Sequence, residues 1–461
     1  MTTPHPIGAD AAGSAGPPST AGPIGRLDRL PITKIQIFWL VVLGMGYLIE
    51  SFDNIVFAYL APAIRKEWGL SIGQVGFVTS SVFIGMLVGA VLGGRLSDQV
   101  GRRPVLIWSS VFYSVTSLMS ALAPNFEVLA VSRILTGVGV QAATGVIMVY
   151  ISEMFPKVSR GRSFTVMMFF GFVASPLTAF VALAIAPSGE GAWRWVFALG
   201  AVGVFVAVTV AVALPETVRW MVTHGQTARA TTVVERLETV AGRRGPLPPV
   251  EPEAPIVRQG SFRELFKREY ARRLVVLATT FSMLIFCVYG FVSWVPTILV
   301  GRGMEQSEAL QIASIIAFGS LAAPVFLFAV ADRIERKTAL LISGSVAGVA
   351  LIAFGAVSGT TLTIVTGLVA QTALAAASTS FYTYIPEIFP TEVRGVGAGT
   401  VNGIGRIAGI ASGLAVAAMY GSLGAPGLYL LLGLGLLVMG ASVALFGPHT
   451  TRRSLEKISA K

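Results

Sequence analysis

Cysteine is nearly absent from this chain. Cys287 is the single one in 461 residues, which excludes an intrachain disulfide and a cysteine metal cluster. It sits inside an apolar run, where a small buried apolar side chain is the ordinary reading. Charge is also scarce. Asp, Glu, Lys and Arg make up 12% of the residues, about half the share of a soluble domain, so the chain cannot face water on all sides. The three histidines, His5, His224 and His449, lie outside the apolar runs and exclude an intramembrane histidine relay. No GxxxxGK[ST] sequence occurs, and with it goes any evident nucleotide-driven motor. The first 25 residues, MTTPHPIGADAAGSAGPPSTAGPIG, lack the charged start and apolar centre of a secretory signal and read as a disordered, retained tail.

What the chain has in excess is apolar sequence, at 54%. It comes in runs long enough for the roughly 20 residues that a membrane-crossing helix needs. Twelve such runs are predicted, at 35–62, 72–94, 105–123, 128–150, 164–186, 195–214, 274–299, 309–331, 339–357, 361–385, 396–420 and 426–446. The expectation is an all-α integral membrane protein of twelve transmembrane helices, six on each side of a polar central segment.

The formal net charge of +11 would raise nucleic-acid binding in a soluble protein, so the placement of the basic residues decides the reading. With both termini in the cytoplasm, all but six of the 34 Lys and Arg fall on the cytoplasmic side. The six are Arg65, Lys66, Arg194 and Arg302 in outer loops and Arg133 and Arg406 inside runs. Such asymmetry is the positive-inside rule, which orients the chain in a cell membrane and leaves no basic excess for nucleic acid.

An internal repeat divides the chain. YISEMFPKVSRG carries Glu153, Pro156, Arg160 and Gly161 after the fourth run, and YIPEIFPTEVRG carries Glu387, Pro390, Arg394 and Gly395 after the tenth, an offset of 234 residues. The same offset relates Asp98 in GRLSDQVGRRPVL to Asp332 in AVADRIERKTALL. Six runs separate each pair, so both copies share a face and the halves are parallel repeats about an axis along the membrane normal. The expected division is a disordered cytoplasmic tail at 1–34, a six-helix bundle at 35–215, a cytoplasmic central loop at 216–272, a second bundle at 273–447 and a cytoplasmic tail at 448–461. Within the central loop, 225–245 reads as an amphipathic surface helix and 246–256 as an extended Pro-rich linker.

GRLSDQVGRRP is the strongest local signature. Gly94 is expected to let two helices approach closely, Asp98 to pair with basic groups or accept backbone amides, and Arg102 and Arg103 to lie at the surface. This motif resembles the loop motif of the major facilitator superfamily, and its second copy, with Phe328 for the glycine, Glu335 for Gly101 and Arg333 beside Asp332, is similar to the family's weaker echo. RILTGVG, with Arg133, Gly137 and Gly139, resembles the family's arginine-glycine motif, and PETVRWMV at 215–222 the PES-type ending of sugar and organic-acid porters. The resemblance covers about 35–447 and implies two rocking bundles that transport solute as a monomer, with no covalent chemistry, cofactor or metal. Gly94, Asp98, Gly101, Arg102, Glu153, Arg160, Asp332, Arg333, Glu387 and Arg394 then read as gating and packing groups.

Four formal charges lie inside the runs: Glu50, Asp53, Arg133 and Arg406. Each is costly at membrane depth and is a functional candidate for that reason. Asp53 and Arg133 fall at similar depth, while Glu50 and Arg406 fall near the midplane. Glu50 and Asp53, three apart on one helix face, are the expected proton-coupling acids. YLIESFDNIVFAYLAP is similar to the acid-x-x-acid first helix of aromatic acid/proton symporters, with Glu50 and Ser51 in place of Asp and Gly. GIGRIAG is similar to that group's eleventh helix. Arg133 and Arg406 are accordingly candidate anion partners, because an arginine meets a carboxylate bidentately. The competing role for Arg133 is a helix tie through carbonyls or Asp53, and for Arg406 a similar tie. Gln141, Tyr289, Gln371, Tyr382 and Asn402 are further cavity candidates, against the commoner roles of packing and interface belt.

The reading is therefore a secondary transporter, expected to import a small organic anion, such as an aromatic or other monocarboxylate, together with protons. A drug-type exporter is opposed by Ser175-Pro176, where a Gly-Pro motif would stand. A sugar porter is favoured by PETVRWMV and opposed by the internal arginines. A non-transporting sensor would need no intramembrane charges.

Overall fold

The computed structural model describes residues 22–243, 245–250, 262–322, 334–389 and 393–447. Among these residues every regular element is helical. Spans one to six are Lys34–Trp68, Ile72–Val100, Arg102–Ala121, Phe126–Met154, Lys157–Ile185 and the continuous stretch Trp193–Ala213. Span seven is broken at Ser293 and Trp294 into Arg268–Val292 and Val295–Gly301, with Pro296 opening the second piece. Span eight opens with Gln306–Ala317, and most of its later part lies outside the described residues. Spans nine and ten are Arg336–Ala356 and Thr360–Ile388; spans eleven and twelve are the two arms of Arg394–Phe446, interrupted at Gly424, where φ is 66°.

Local chemistry sets the helix ends. Thr33 and Ser71 each close a capping box with Gln36 and Gln74, the hydroxyl accepting the glutamine N–H and the glutamine amide oxygen accepting the cap N–H. Asn125 caps span four, and Gly69 ends span one at φ 65°. Span one runs 35 residues, about 50 Å at 1.5 Å per residue, so it crosses the hydrocarbon and projects beyond it. A bilayer leaves no water for backbone groups, which is why helices carry every crossing.

Spans two and four pack backbone to backbone. A Cβ on Gly85, Gly89 or Gly93 would strike Ile134, Val138 and Ala142 respectively, and their spacing of four places all three on one helix face. The close approach expected at Gly94 falls on Gly93 instead: Gly94 is exposed with open space at its Cβ position, turned about 100° away from the packed face. Arg102 and Arg103 also depart from expectation, being half-buried rather than on the surface. Arg102 pairs with Glu153 at 2.9 Å and Asp98 at 3.1 Å, and Arg103 donates to the carbonyl of Ala211. The backbone amides of both are received by Glu216, so it is Glu216 rather than Asp98 that caps span three. Gly101 at φ 104° has no room for a side chain beside that carboxylate.

The face that carries both ends of the described chain and the central segment is the terminal face; the other is the opposite face. On the terminal face lie the helices Pro23–Asp28, Val218–Thr223 and Thr227–Gly242. Part of the stretch expected as a disordered tail is thus folded. Arg26 and Arg29 reach Glu238 at 2.5 and 2.7 Å, and Asp28 pairs with Arg160 and Arg219. Burial alone would raise the Glu238 carboxyl, yet hydrogen bonds from Arg26 and Arg29 hold it below the usual carboxylate range. Arg160 donates to the Phe155 carbonyl and Arg394 to the Phe389 carbonyl, the same bond repeated 234 residues apart. Asp332, Arg333 and the Glu387 side chain lie outside the described positions, as does the linker beyond 250.

Contacts between the first six spans and the last six cluster toward the opposite face. Gly76 of span two and Gly413 of span eleven face each other so closely that a Cβ on either would come within 2.6 Å of the other's carbonyl oxygen. One turn deeper, Ser80 donates to the Ile410 carbonyl at 2.7 Å. Spans five and eight meet through Ser320 donating to Phe172 and through the Phe180–Phe318 ring pair. Closure of the opposite face therefore depends on bare backbone at 76 and 413. Gly413→Leu is predicted to hold that face open, raising thiol labelling of a cysteine placed at position 306 from that side several-fold in a Cys287→Ala background. Unchanged labelling would show that the glycine contact does not close the pathway.

Candidate transport site

The four intramembrane charges separate into two arrangements. Asp53 of span one and Arg133 of span four, each 1% exposed, form an ion pair in which Arg133 also donates to the Asp53 carbonyl at 2.5 Å. The guanidinium lies 5.4 Å from the Phe197 ring centroid, and a Cβ on Gly200 would crowd the second Asp53 oxygen. Hydroxyl pairs wall this cluster: Ser117 donates to the Phe197 carbonyl, Ser120 meets Ser132, and Thr136 donates to Thr116. Both charges are thus compensated inside the first six spans. That geometry matches the helix-tie alternative for Arg133 and separates it from Arg406.

Glu50 stands one turn toward the terminal face from Asp53. It is 1% exposed; Thr144 of span four donates to its Oε2 at 2.6 Å, and among the described residues it has no cation partner and its Oε1 no hydrogen-bond partner. Gln141, one turn away on span four, likewise has a buried amide oxygen without a partner among the described residues. Thr144 was not legible as a candidate, because one threonine in an apolar run carries no signal.

Arg406 lies 12 residues into span eleven, about 18 Å from its start and so near the midplane. It is half-buried, and its Nη1 lies 3.7 Å from the Met86 sulfur of span two. Among the described residues it has no acidic partner. Tyr47 of span one and Tyr382 of span ten interact electrostatically with Arg406 and with Tyr289 of span seven, and Tyr289 packs in one cluster with Leu48 and Ile49 of span one and Met86 of span two. Tyr289 packs edge-on to Phe83 at 4.4 Å between ring centroids, and Tyr382 to Phe281 at 5.7 Å. Tyr382 is 47% exposed and interacts electrostatically with Tyr47 of span one.

Two other candidates stand apart. Gln371 lines a separate cavity with Tyr59, Phe291 and Val295. Asn402 donates its amide to the Ala398 carbonyl of its own helix.

The sequence profile of the Major Facilitator Superfamily matches residues 43–413. The chain is 31% identical over 434 residues to a putative metabolite transport protein of Bacillus subtilis, covering 93% of this chain and 96% of that one. It is 28% identical over 442 residues to a niacin transporter of Acinetobacter baylyi, covering 94% and 99%. Its fold is similar to that of the xylose transporter of E. coli, whose structure is of a partially occluded inward-open conformation, with a TM-score of 0.73 and 19% identity across 90% of this chain and 98% of that one.

A buried charge left without its partner is destabilising by about 3–5 kcal/mol. Asp53→Asn or Arg133→Gln alone is predicted to lower the unfolding midpoint in detergent by an amount consistent with that cost, and the double substitution to recover part of it. Additive single effects would mean the pair is not coupled.

Proposed function

The chain belongs to the Major Facilitator Superfamily, and from that premise we propose that this transporter is a proton-coupled symporter that imports a small organic anion, an aromatic or other monocarboxylate. The observation that carries the reading is Arg406, a guanidinium near the midplane with no acidic partner among the described residues and with Tyr47 and Tyr382 in electrostatic interaction with it. A carboxylate supplies the missing counter-charge with bidentate geometry. Relatives named for niacin, gallate and 4-hydroxybenzoate are similar to this chain, and all three compounds are aromatic carboxylic acids. An arabinose-proton symporter is 26% identical over 456 residues, but an uncharged sugar would leave Arg406 uncompensated.

Coupling follows from charge balance. Asp53 and Arg133 cancel within the first half. Glu50 and Arg406 then leave the empty site neutral overall, one acid on the first half and one base on the second. Substrate carboxylate alone would make the site negative, and a proton on Glu50 restores neutrality. A site at membrane depth reorients readily only when neutral, so the empty and the doubly loaded states cross and the singly loaded state does not. The basic terminal face is cytoplasmic on the positive-inside rule, in a cell membrane, and the cargo crosses chemically unchanged.

Glu50→Gln is predicted to abolish uphill accumulation of benzoate in vesicles with an imposed pH gradient while retaining counterflow exchange. Accumulation at the wild-type level by the Glu50→Gln variant would remove the coupling assignment. Arg406→Ala is predicted to raise the half-saturation concentration for benzoate at least tenfold, about 1.4 kcal/mol, and that for benzamide less than twofold. Equal effects on the two would make Arg406 a packing residue.

A further inference from the structure

Tyr47 is the one member of the tyrosine group that comes from the first six spans, and nothing in the assignment of the charged groups uses it. Its ring rests against span five where residue 171 is glycine, since a Cβ there would collide with the ring edge. The ring position is therefore set by backbone. Tyr47 is half-buried, and it lies one helical turn from Glu50 on the terminal-face side, so both side chains project from the same face of span one. Tyr289 packs in one cluster with Leu48 and Ile49, beside Tyr47 on span one, and with Met86, whose sulfur lies 3.7 Å from Arg406, and Tyr289, Tyr382 and Arg406 all interact electrostatically with Tyr47. Tyr47, Tyr289 and Tyr382 have no hydroxyl hydrogen-bond partner among the described residues. Tyr150 by contrast donates to the Pro215 carbonyl at 2.9 Å, and the hydroxyls of Tyr113 and Tyr429, which have no partner among the described residues, are enclosed, whereas those of Tyr47 and Tyr289 are not.

Phenol hydroxyls at this depth normally find a partner, because one left unmade costs free energy. Tyr47 and Tyr382, in electrostatic interaction with an uncompensated guanidinium and with Tyr289, describe a ligand with a carboxylate and at least one further polar atom. The rings of Phe83 and Tyr289, packed edge to face, and of Phe281 and Tyr382 supply aromatic walls for the flat apolar part between those groups.

We infer that Tyr47 determines specificity, its hydroxyl hydrogen-bonding a ring substituent of an aromatic acid whose carboxylate Arg406 holds. This inference rests on the anion reading of Arg406 and deepens it: the preferred cargo bears a hydroxyl or ring nitrogen in addition to its carboxylate. Because Tyr47 and Arg406 belong to opposite halves, such a ligand bridges them, and a ligand lacking the second polar group leaves the Tyr47 hydroxyl unpaired.

The test is equilibrium binding of 4-hydroxybenzoate, nicotinate and benzoate to purified full-length transporter in detergent, for wild type, Tyr47→Phe and Arg406→Gln. Tyr47→Phe removes one hydroxyl and keeps the ring, and monodisperse elution confirms that the variant is folded. One neutral hydrogen bond is worth about 0.5–1.5 kcal/mol, so Tyr47→Phe is expected to weaken 4-hydroxybenzoate or nicotinate by about 3–10-fold and benzoate by less than twofold. Arg406→Gln is expected to weaken all three. Equal weakening of all three by Tyr47→Phe, or no weakening of any, overturns the Tyr47 assignment while the Arg406 reading stands. Failure of wild type to bind any of the three acids overturns the anion reading and the inference with it.

Discussion

An ionised side chain inside a bilayer must be compensated, and that constraint organises this molecule. The charge of Arg133 is balanced by Asp53, and Arg133 also donates to a backbone carbonyl, deep among spans one, three, four and six. Around that pair the first half is cross-tied by hydroxyls, from Ser117 to the Phe197 carbonyl and from Ser120 to Ser132. Glu50 and Arg406 are different in kind. Each is held by a neutral neighbour, Thr144 or Met86, and they belong to opposite halves. On the proposed mechanism, compensation within one half fixes structure, and compensation that needs a proton and a ligand shared between halves drives transport.

The second constraint is backbone proximity. Glycines at 85, 89 and 93 bring spans two and four into backbone contact within the first six spans, whereas the reciprocal Gly76–Gly413 contact joins the first six spans to the last six, which separate on the proposed mechanism. Close approach of bare backbone gives tight van der Waals packing without interlocked side chains. The same device therefore serves a permanent joint in one place and a releasable one in another. What distinguishes them is depth of engagement: three successive turns against span four, and one turn reinforced by the Ser80–Ile410 bond against span eleven.

The fold was largely legible in the sequence, because runs of about 20 apolar residues and a motif repeated at one offset leave few alternatives. Broken helices were less so. Span seven reads as one run at 274–299, and the interruption at Ser293 and Trp294 is a conformational choice that hydropathy does not record. The site was legible only where it is charged. Glu50, Asp53, Arg133 and Arg406 stand out against apolar neighbours, and their depths suggested the Asp53–Arg133 pairing. Tyr47, Thr144 and Gly171 do not stand out, since a tyrosine, a threonine and a glycine are ordinary in membrane helices and acquire meaning through what faces them. Gly94 was misread for the opposite reason: motif position drew attention to it, while helical phase assigns the contact to Gly93.

The central claim is that the site is neutral when empty and neutral again when it holds both a carboxylate and a proton. Proton uptake on ligand binding measures this directly, by adding benzoate to concentrated purified transporter in weakly buffered solution near neutral pH and following the pH. About one proton taken up per benzoate bound, falling to near zero in the Glu50→Gln variant while benzoate still binds, is the predicted result. Benzoate binding to wild type with no proton uptake would contradict the account.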